Sequence, residues 1–260
     1  MSGPASRFQC IAFDAVGTLM FAEPGVAAAY TEIGRRYGSR QSVEQVKSQF
    51  AEAMQRAEAL SVTRFGEPGR TDEDYERDFW QQVVFDVLPD LREPQACFAE
   101  LFEHFARPES WRCFDDVART LSSLEQRGYR ILIASNFDAR LDRVCDGLPG
   151  LREVRCRVIS SLVGYRKTHP GFYEAVAQAA GCGVSEVLMV GDDFVNDVES
   201  ARAAGVAAVH LRRDGAVFNP SAIGVGTQSQ IANGSHESPT PMALGLNEIK
   251  SLTDLLEWLP

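Results

Sequence analysis

Five short apolar runs constrain this chain most. Residues 8–13, 129–134, 156–160, 187–190 and 206–211 are too short for buried helices, and their β-branched, aliphatic and aromatic content reads as buried strand. Between the later runs lie amphipathic segments of helical period, 115–126, 172–180 and 198–204, which stop at Gly128, Gly181 and Gly205. Strands that alternate with helices pair in parallel, because the crossover helix returns the chain to the edge where it started. The pattern therefore predicts an α/β fold with a Rossmann-like parallel sheet as its core.

The alternation is interrupted once, directly after the first strand. From Pro24 to Pro108 the spacing predicts four helices, 26–37, 44–60, 72–88 and 95–106, and no strand. Gly38, residues 66–69, Pro89 and Pro108 break them, while Ser42 and Thr71-Asp72 are suited to capping two of them. The expected organisation is a core formed by 1–21 and 109–260, with an all-helical cap domain, 22–108, inserted into it. Residues 212–244, with Asn219-Pro220-Ser221 and Asn233-Gly234-Ser235, read as a long loop within that core, unusual for a compact domain. A last helix is predicted over 251–259.

Composition narrows the partners. The net charge is −10, and no basic cluster is interleaved with aromatics, which argues against nucleic acid. No apolar run approaches the ~20 residues that cross a bilayer. The N-terminus lacks a charged stretch followed by an apolar one, so no secretory leader is indicated. The six cysteines, at 10, 97, 113, 145, 156 and 182, form no Cys-x-x-Cys pair and read as reduced thiols packed as small hydrophobes. The expectation is a soluble cytoplasmic protein that meets a small molecule, anionic if a metal or lysine reverses the sign of one pocket.

Chemistry-bearing residues stand at three predicted strand ends. Asp14 follows the first strand, Ser135-Asn136 the second and Asp192-Asp193 the fourth. Ligands of open parallel sheets bind at that edge. Each has a bland explanation: Asp14 as a turn residue, Asn196 or Asp197 as the N-cap of 198–204, Asp138 as a cap and Lys167 as a loop cation. Together they make a coherent site. A carboxylate can attack as a nucleophile, and carboxylates gathered around it repel one another unless a cation sits among them. Mg²⁺, which prefers oxygen ligands, suits that place. Ser135, Thr18 and the backbone N–H groups after Asp14 can donate to substrate oxygens. Lys167, one of only three lysines, stands in 164–170 before a predicted helix and can supply a point charge.

The segments Phe13-Asp14-Ala15-Val16-Gly17-Thr18-Leu19, Ile131-Leu132-Ile133-Ala134-Ser135-Asn136, Arg166-Lys167-Thr168-His169-Pro170 and Val190-Gly191-Asp192-Asp193 with Asn196-Asp197, in this order, resemble the four motifs of the haloacid dehalogenase-like hydrolases, subfamily I with a helical cap. The resemblance covers nearly the whole chain except 212–244. It implies Asp14 as nucleophile, with Mg²⁺ held by Asp14, the main-chain carbonyl of Val16 and Asp192, and Asp193 near the metal. It also implies that Ser135 holds a phosphoryl oxygen, that Lys167 pairs with Asp14, that Asp197 orients Lys167 and that the cap selects substrate; Thr18 and Asn136 are expected to bind substrate beside Ser135. One position departs from the pattern. Phosphatases of the family carry a second Asp two residues after the nucleophile, and here that residue is Val16. The missing group is the general acid and base, typically worth 10²–10⁴-fold. Three readings follow: a Mg²⁺-dependent phosphatase with weakened proton transfer, a 2-haloacid dehalogenase, whose halide leaves without a proton, and a non-catalytic binding or regulatory protein on the same fold.

Overall fold

The computed structural model describes residues 7–213 and 248–260. The chain begins with β1 (Cys10–Phe13), fully buried, and β2 (Met20–Ala22). Four helices follow, α1 (Val26–Arg36), α2 (Val43–Phe65), α3 (Glu73–Val87) and α4 (Pro94–His104). Then β3 (Trp111–Cys113) returns antiparallel to β2, with Ala22 opposite Trp111 and Met20 opposite Cys113. The helical excursion thus leaves and re-enters through one two-stranded ribbon. The sequence reading missed this ribbon, because three residues carry too little alternation to register as a strand.

The remainder alternates as expected: α5 (Val117–Gln126), β4 (Arg130–Ser135), α6 (Arg140–Gly147), β5 (Arg157–Ile159), α7 (Ser160–Val163), α8 (Pro170–Ala180), β6 (Val187–Gly191), α9 (Ser200–Ala203), β7 (Ala207–Leu211), β8 (Glu248–Ile249) and α10 (Asp254–Trp258). The large sheet has the order β5-β4-β1-β6-β7-β8 with all pairings parallel, so the fold is the expected Rossmann-like α/β sheet. Alternate strand residues serve opposite faces. Ile11, Phe13, Ile133 and Val190 pack with Leu121 of α5 and Leu255 of α10, while Ala12, Leu132 and Met189 pack with Phe172 and Val176 of α8. Helices on both faces explain why the strands are apolar throughout rather than alternating.

Two expectations need correction here. The helix predicted over 198–204 begins earlier, as a π-helical turn over Phe194–Glu199, and its cap is Asp193, not Asn196 or Asp197. The loop read over 212–244 lies, beyond Arg213, outside the described residues.

α1–α4 have a hydrophobic cluster of their own, built on residues such as Tyr30, Phe50, Phe79, Phe98 and Leu101. Ser42 starts α2 with a reciprocal capping box to Gln45, and Asp72 caps α3 by accepting the Tyr75 N–H at 2.6 Å. The first turns of α3 fasten this layer to the loops at the sheet edge. Glu73 accepts the Ala139 N–H at 3.0 Å and the Ser161 hydroxyl. Buried Glu76 accepts three bonds of 2.8–3.0 Å from Arg166.

Candidate active site

β1 lies between β4 and β6, so the carboxyl ends of these three strands meet. The Asp14 N–H donates to the Val190 carbonyl at 2.9 Å, which fixes the first carboxylate beside the end of β6. Gly17, at φ 92°, lets the chain turn immediately after it. Lys167 is brought in by its own N–H, which donates to Asn136 Oδ1 at 2.9 Å. Its ammonium donates to Asp14 Oδ1 and, at 2.7 Å, to Asp197 Oδ1. The other oxygen of Asp197 accepts the Asp193 N–H at 3.0 Å. Gly191 permits that approach, since a Cβ there would stand 2.0 Å from Asp197 Oδ2.

Carboxylate oxygens of Asp14, Asp192 and Asp197 lie within 4.8 Å of one another. Burial raises the Asp14 carboxyl to about 6; Lys167 opposes the shift and the charge of Asp192 adds to it. Burial likewise raises Asp197 to about 7, again against Lys167, with Asp14 and Asp193 adding to the shift. For the Lys167 ammonium, burial alone would favour loss of the proton, but Asp14 and Asp197 outweigh it and hold the pKa above its ordinary value. One ammonium thus faces an excess of carboxylate. The donor set is all oxygen and short of positive charge, which fits a hard dication such as Mg²⁺.

The structure distributes the expected site residues unevenly. Ser135 and Asn136 line the cavity beside Asp14, and the Ser135 hydroxyl has no hydrogen-bond partner among the described residues. Val16 lines the same cavity with an apolar side chain. Thr18, expected to bind substrate, is fully buried away from it and donates to Asp192 Oδ1 at 2.9 Å. Asp193, expected beside the metal, accepts instead from the Val195 and Asn196 N–H groups and the Asn196 amide at 2.7–3.0 Å. Capping of the π-turn therefore engages both its oxygens; Asp193 still lines the cavity with Asp14 and Asp192, and Asp197 is the third member of the carboxylate cluster.

The cavity, about 90 Å³, runs from these carboxylates into the helical layer, where Trp80, Phe98, Phe102, Phe105 and Trp111 form walls. Sequence reasoning missed two of its polar members. Tyr30, in α1, is 2 % exposed, and in an amphipathic helix it reads as ordinary core. Arg140 starts α6, where no helix was expected, although the spacing Asp138-Ala139-Arg140 behind Ser135-Asn136 placed it at the same sheet edge.

Comparison with known proteins agrees with this architecture. A family model described as haloacid dehalogenase-like hydrolase matches residues 8–205. Haloacid dehalogenase-like hydrolase domain-containing protein 3 of Homo sapiens is 28% identical over 207 residues, covering 77% of this chain and 80% of that protein. Its Mus musculus counterpart is 27% identical over the same shares. Among solved structures, an L-2-haloacid dehalogenase from Xanthobacter autotrophicus superimposes with TM-score 0.66 at 19% identity, covering 96% and 97% of the two chains. A predicted phosphoglycolate phosphatase from Haemophilus somnus does so with TM-score 0.56 at 20% identity, covering 80% and 87%. At those identities the structures share the fold alone. With the family matched across most of its length, the chain belongs to the haloacid dehalogenase-like hydrolases.

Proposed function

We propose that this hydrolase cleaves small phosphate monoesters by a covalent route through Asp14, with Mg²⁺ bound beside it. One observation carries the reading: the carboxylates of Asp14, Asp192 and Asp197 crowd within 4.8 Å around a single lysine. Displacement at carbon without a metal gains nothing from Asp192 beside the nucleophile, whereas transfer of an anionic phosphoryl group needs a cation there. Asp14, Asp192 and the Val16 carbonyl would hold Mg²⁺, since both oxygens of Asp197 are already engaged. Bound there, the ion would neutralise phosphoryl charge. An Asp14 oxygen bonds to phosphorus while the ester P–O bond breaks and the leaving oxygen takes the electron pair. Lys167 holds Asp14 in place and opposes the negative charge of the transferring group. The Ser135 hydroxyl donates to a phosphoryl oxygen, and Asn136 holds the Lys167 backbone. Water then attacks phosphorus and releases Asp14. The helical layer, 22–108, acts as the cap that selects the leaving group, and the six free thiols suit a reducing compartment such as the cytoplasm.

Phosphate release from phenyl phosphate, with Mg²⁺ and with EDTA, tests this on wild type, Asp14→Asn and Val16→Asp. The expected outcome is Mg²⁺-dependent release, its loss in Asp14→Asn, and a gain in Val16→Asp. No release by any of the three, together with no Mg²⁺ binding in calorimetry, overturns it. Val16 itself favours the dehalogenase reading, because halide departs without a proton. EDTA-insensitive halide release from 2-chloropropionate would establish that reading instead.

A further inference from the structure

The cavity beyond Asp14 describes the other half of the substrate, an assignment that rests on the phosphatase reading. Three features of its lining bear on the leaving group. The first is Val16, which lines the cavity at the position where phosphatases of the family carry their second Asp, and has no proton to give. A leaving group must then be stable as an anion. A phenol ionises near 10, as tyrosine does, about six units below water. The second is the wall, which is lined by Trp80, Phe98, Phe102, Phe105, Trp111 and Phe137. Such surfaces favour a flat aromatic body. The volume, about 90 Å³, has room for several waters at the roughly 10–15 Å³ that one needs, which suits a single ring.

The third is Tyr30. It is 2 % exposed and lines the cavity, and its hydroxyl has no hydrogen-bond partner among the described residues. The hydroxyl oxygen is not among the fully enclosed, unpartnered polar atoms of the described residues, so it opens onto the cavity, where a bound acceptor can take its proton. Arg140, close enough for its charge to act on the Tyr30 phenol, lies in the same part of the cavity. Its guanidinium is already matched: it forks onto Asp138 at 2.6 and 2.7 Å, donates to the Phe102 carbonyl at 2.9 Å and stacks 3.5 Å from the Phe102 ring. With that cation neutralised, the distal end suits an uncharged acceptor better than a second anion.

We propose that the substrate is a compact aryl phosphate monoester whose ring carries an uncharged hydrogen-bond acceptor, and that the Tyr30 hydroxyl donates to that acceptor. The Asp14–phosphorus bond forms as the aryl P–O bond breaks, and the phenolate leaves with the electron pair and no proton. In the second step water bonds to phosphorus, Asp14 is released, and the proton that water loses ends on the aryl oxygen.

Two measurements on the full chain test this. In the first, Mg²⁺-dependent phosphate release is followed from propyl phosphate, phenyl phosphate and 3- and 4-acetylphenyl phosphate. We expect kcat/KM for phenyl phosphate to exceed that for propyl phosphate at least 100-fold. One acetyl ester should have a KM about tenfold below that of phenyl phosphate, the upper end of one net hydrogen bond, and in Tyr30→Phe that KM ratio should fall to about one. In the second, which needs no turnover, quenching of Trp80 and Trp111 fluorescence reports binding of phenol and of 3- and 4-hydroxyacetophenone. A Tyr30-dependent preference for a hydroxyacetophenone without hydrolysis of any ester would keep the pocket assignment and overturn the phosphatase reading. Ester hydrolysis with propyl phosphate within tenfold of phenyl phosphate, or with the acetyl preference intact in Tyr30→Phe, would do the reverse. Neither hydrolysis nor binding would overturn both.

Discussion

Gly191→Ala probes the link between Asp197 and Lys167 without touching a charged group. A methyl on Gly191 would stand 2.0 Å from Asp197 Oδ2, 2.2 Å from its Cγ and 2.5 Å from its Cβ. Favourable contact begins near 3.5 Å, so the carboxylate has to retreat by about 1.5 Å. No rotamer escapes, because the Cβ is also too close and Asp197 is 1% exposed. The retreat stretches the 2.7 Å bond from Lys167 and the 3.0 Å bond from the Asp193 N–H beyond useful length. Overpacking a core position costs about 1–3 kcal/mol, and a lost hydrogen bond to a charged group about 1.5–3. The sum, about 2.5–6 kcal/mol, corresponds to a melting temperature roughly 5–12 °C lower at about 2 °C per kcal/mol, the low end that suits a chain of this size. Turnover should fall about 100-fold, the order expected when a catalytic group is displaced by an ångström. Calorimetric melting and phosphate release from phenyl phosphate, normalised to folded protein, measure both. A melt within about 1 °C of wild type with activity within twofold would refute the geometry. A lowered melt with full activity would refute only the role of Asp197 in orienting Lys167.

Three further outcomes follow from other contacts. In Val16→Asp, kcat/KM, which reports only the step in which the ester bond breaks, should rise by about 10²–10⁴-fold for propyl phosphate and by much less for phenyl phosphate, because there only the alkyl leaving group needs the proton; equal gains in kcat/KM would contradict the leaving-group argument. Glu76→Gln, which leaves the half-buried Arg166 only the more distant Glu58, at 3.7 Å, as counter-charge, should destabilise by about 2–4 kcal/mol in urea titration, whereas the double variant Glu76→Leu/Arg166→Met should fall closer to wild type. Burial acts to raise the Asp116 carboxyl, but Arg213, the Leu252 N–H and the Ser251 hydroxyl outweigh it and hold the pKa below its ordinary value. That stabilisation is present above about pH 4 and is lost as pH falls through the lowered folded value. Asp116→Asn should therefore destabilise by about 2–3 kcal/mol at pH 7, with the gap to wild type narrowing in melts below pH 4.

What the sequence disclosed followed from periodicity and strand ends. The apolar runs ending at Phe13, Ser135 and Gly191 are legible because they are buried on both faces, and adjacency of β1 to β4 and β6 then brings Asp14, Ser135 and Asp192 together. Proximity along the chain was a poorer guide to which way a side chain points. Thr18 and Asp193 each stand close in sequence to a carboxylate of the cluster, yet one is buried and donates to Asp192 and the other caps the turn that follows. The π-turn over Phe194–Glu199 has no distinct period in so short a span, so the cap was placed too late. Tyr30 and Arg140 were invisible for a different reason. Their significance lies in what they face across a cavity between the helical layer and the sheet edge, a relation no local pattern encodes.

Val16 and the aromatic cavity explain each other. The carboxylates of Asp14, Asp192 and Asp197 already share a small volume with one lysine, and a fourth at position 16 would add like charge beside an apolar wall. In a phosphatase acting on alkyl esters that burden is offset by proton transfer to an alkoxide. For a phenolate leaving group the proton contributes little, while an apolar side chain keeps water from the face where the ring rests and strengthens the charge interactions at Asp14. Replacement of the acid therefore need not signal a degenerate site. It fits the proposed site, in which acidity of the leaving group would take over the work of a side chain, the aromatic wall would receive the ring and the Tyr30 hydroxyl its acceptor.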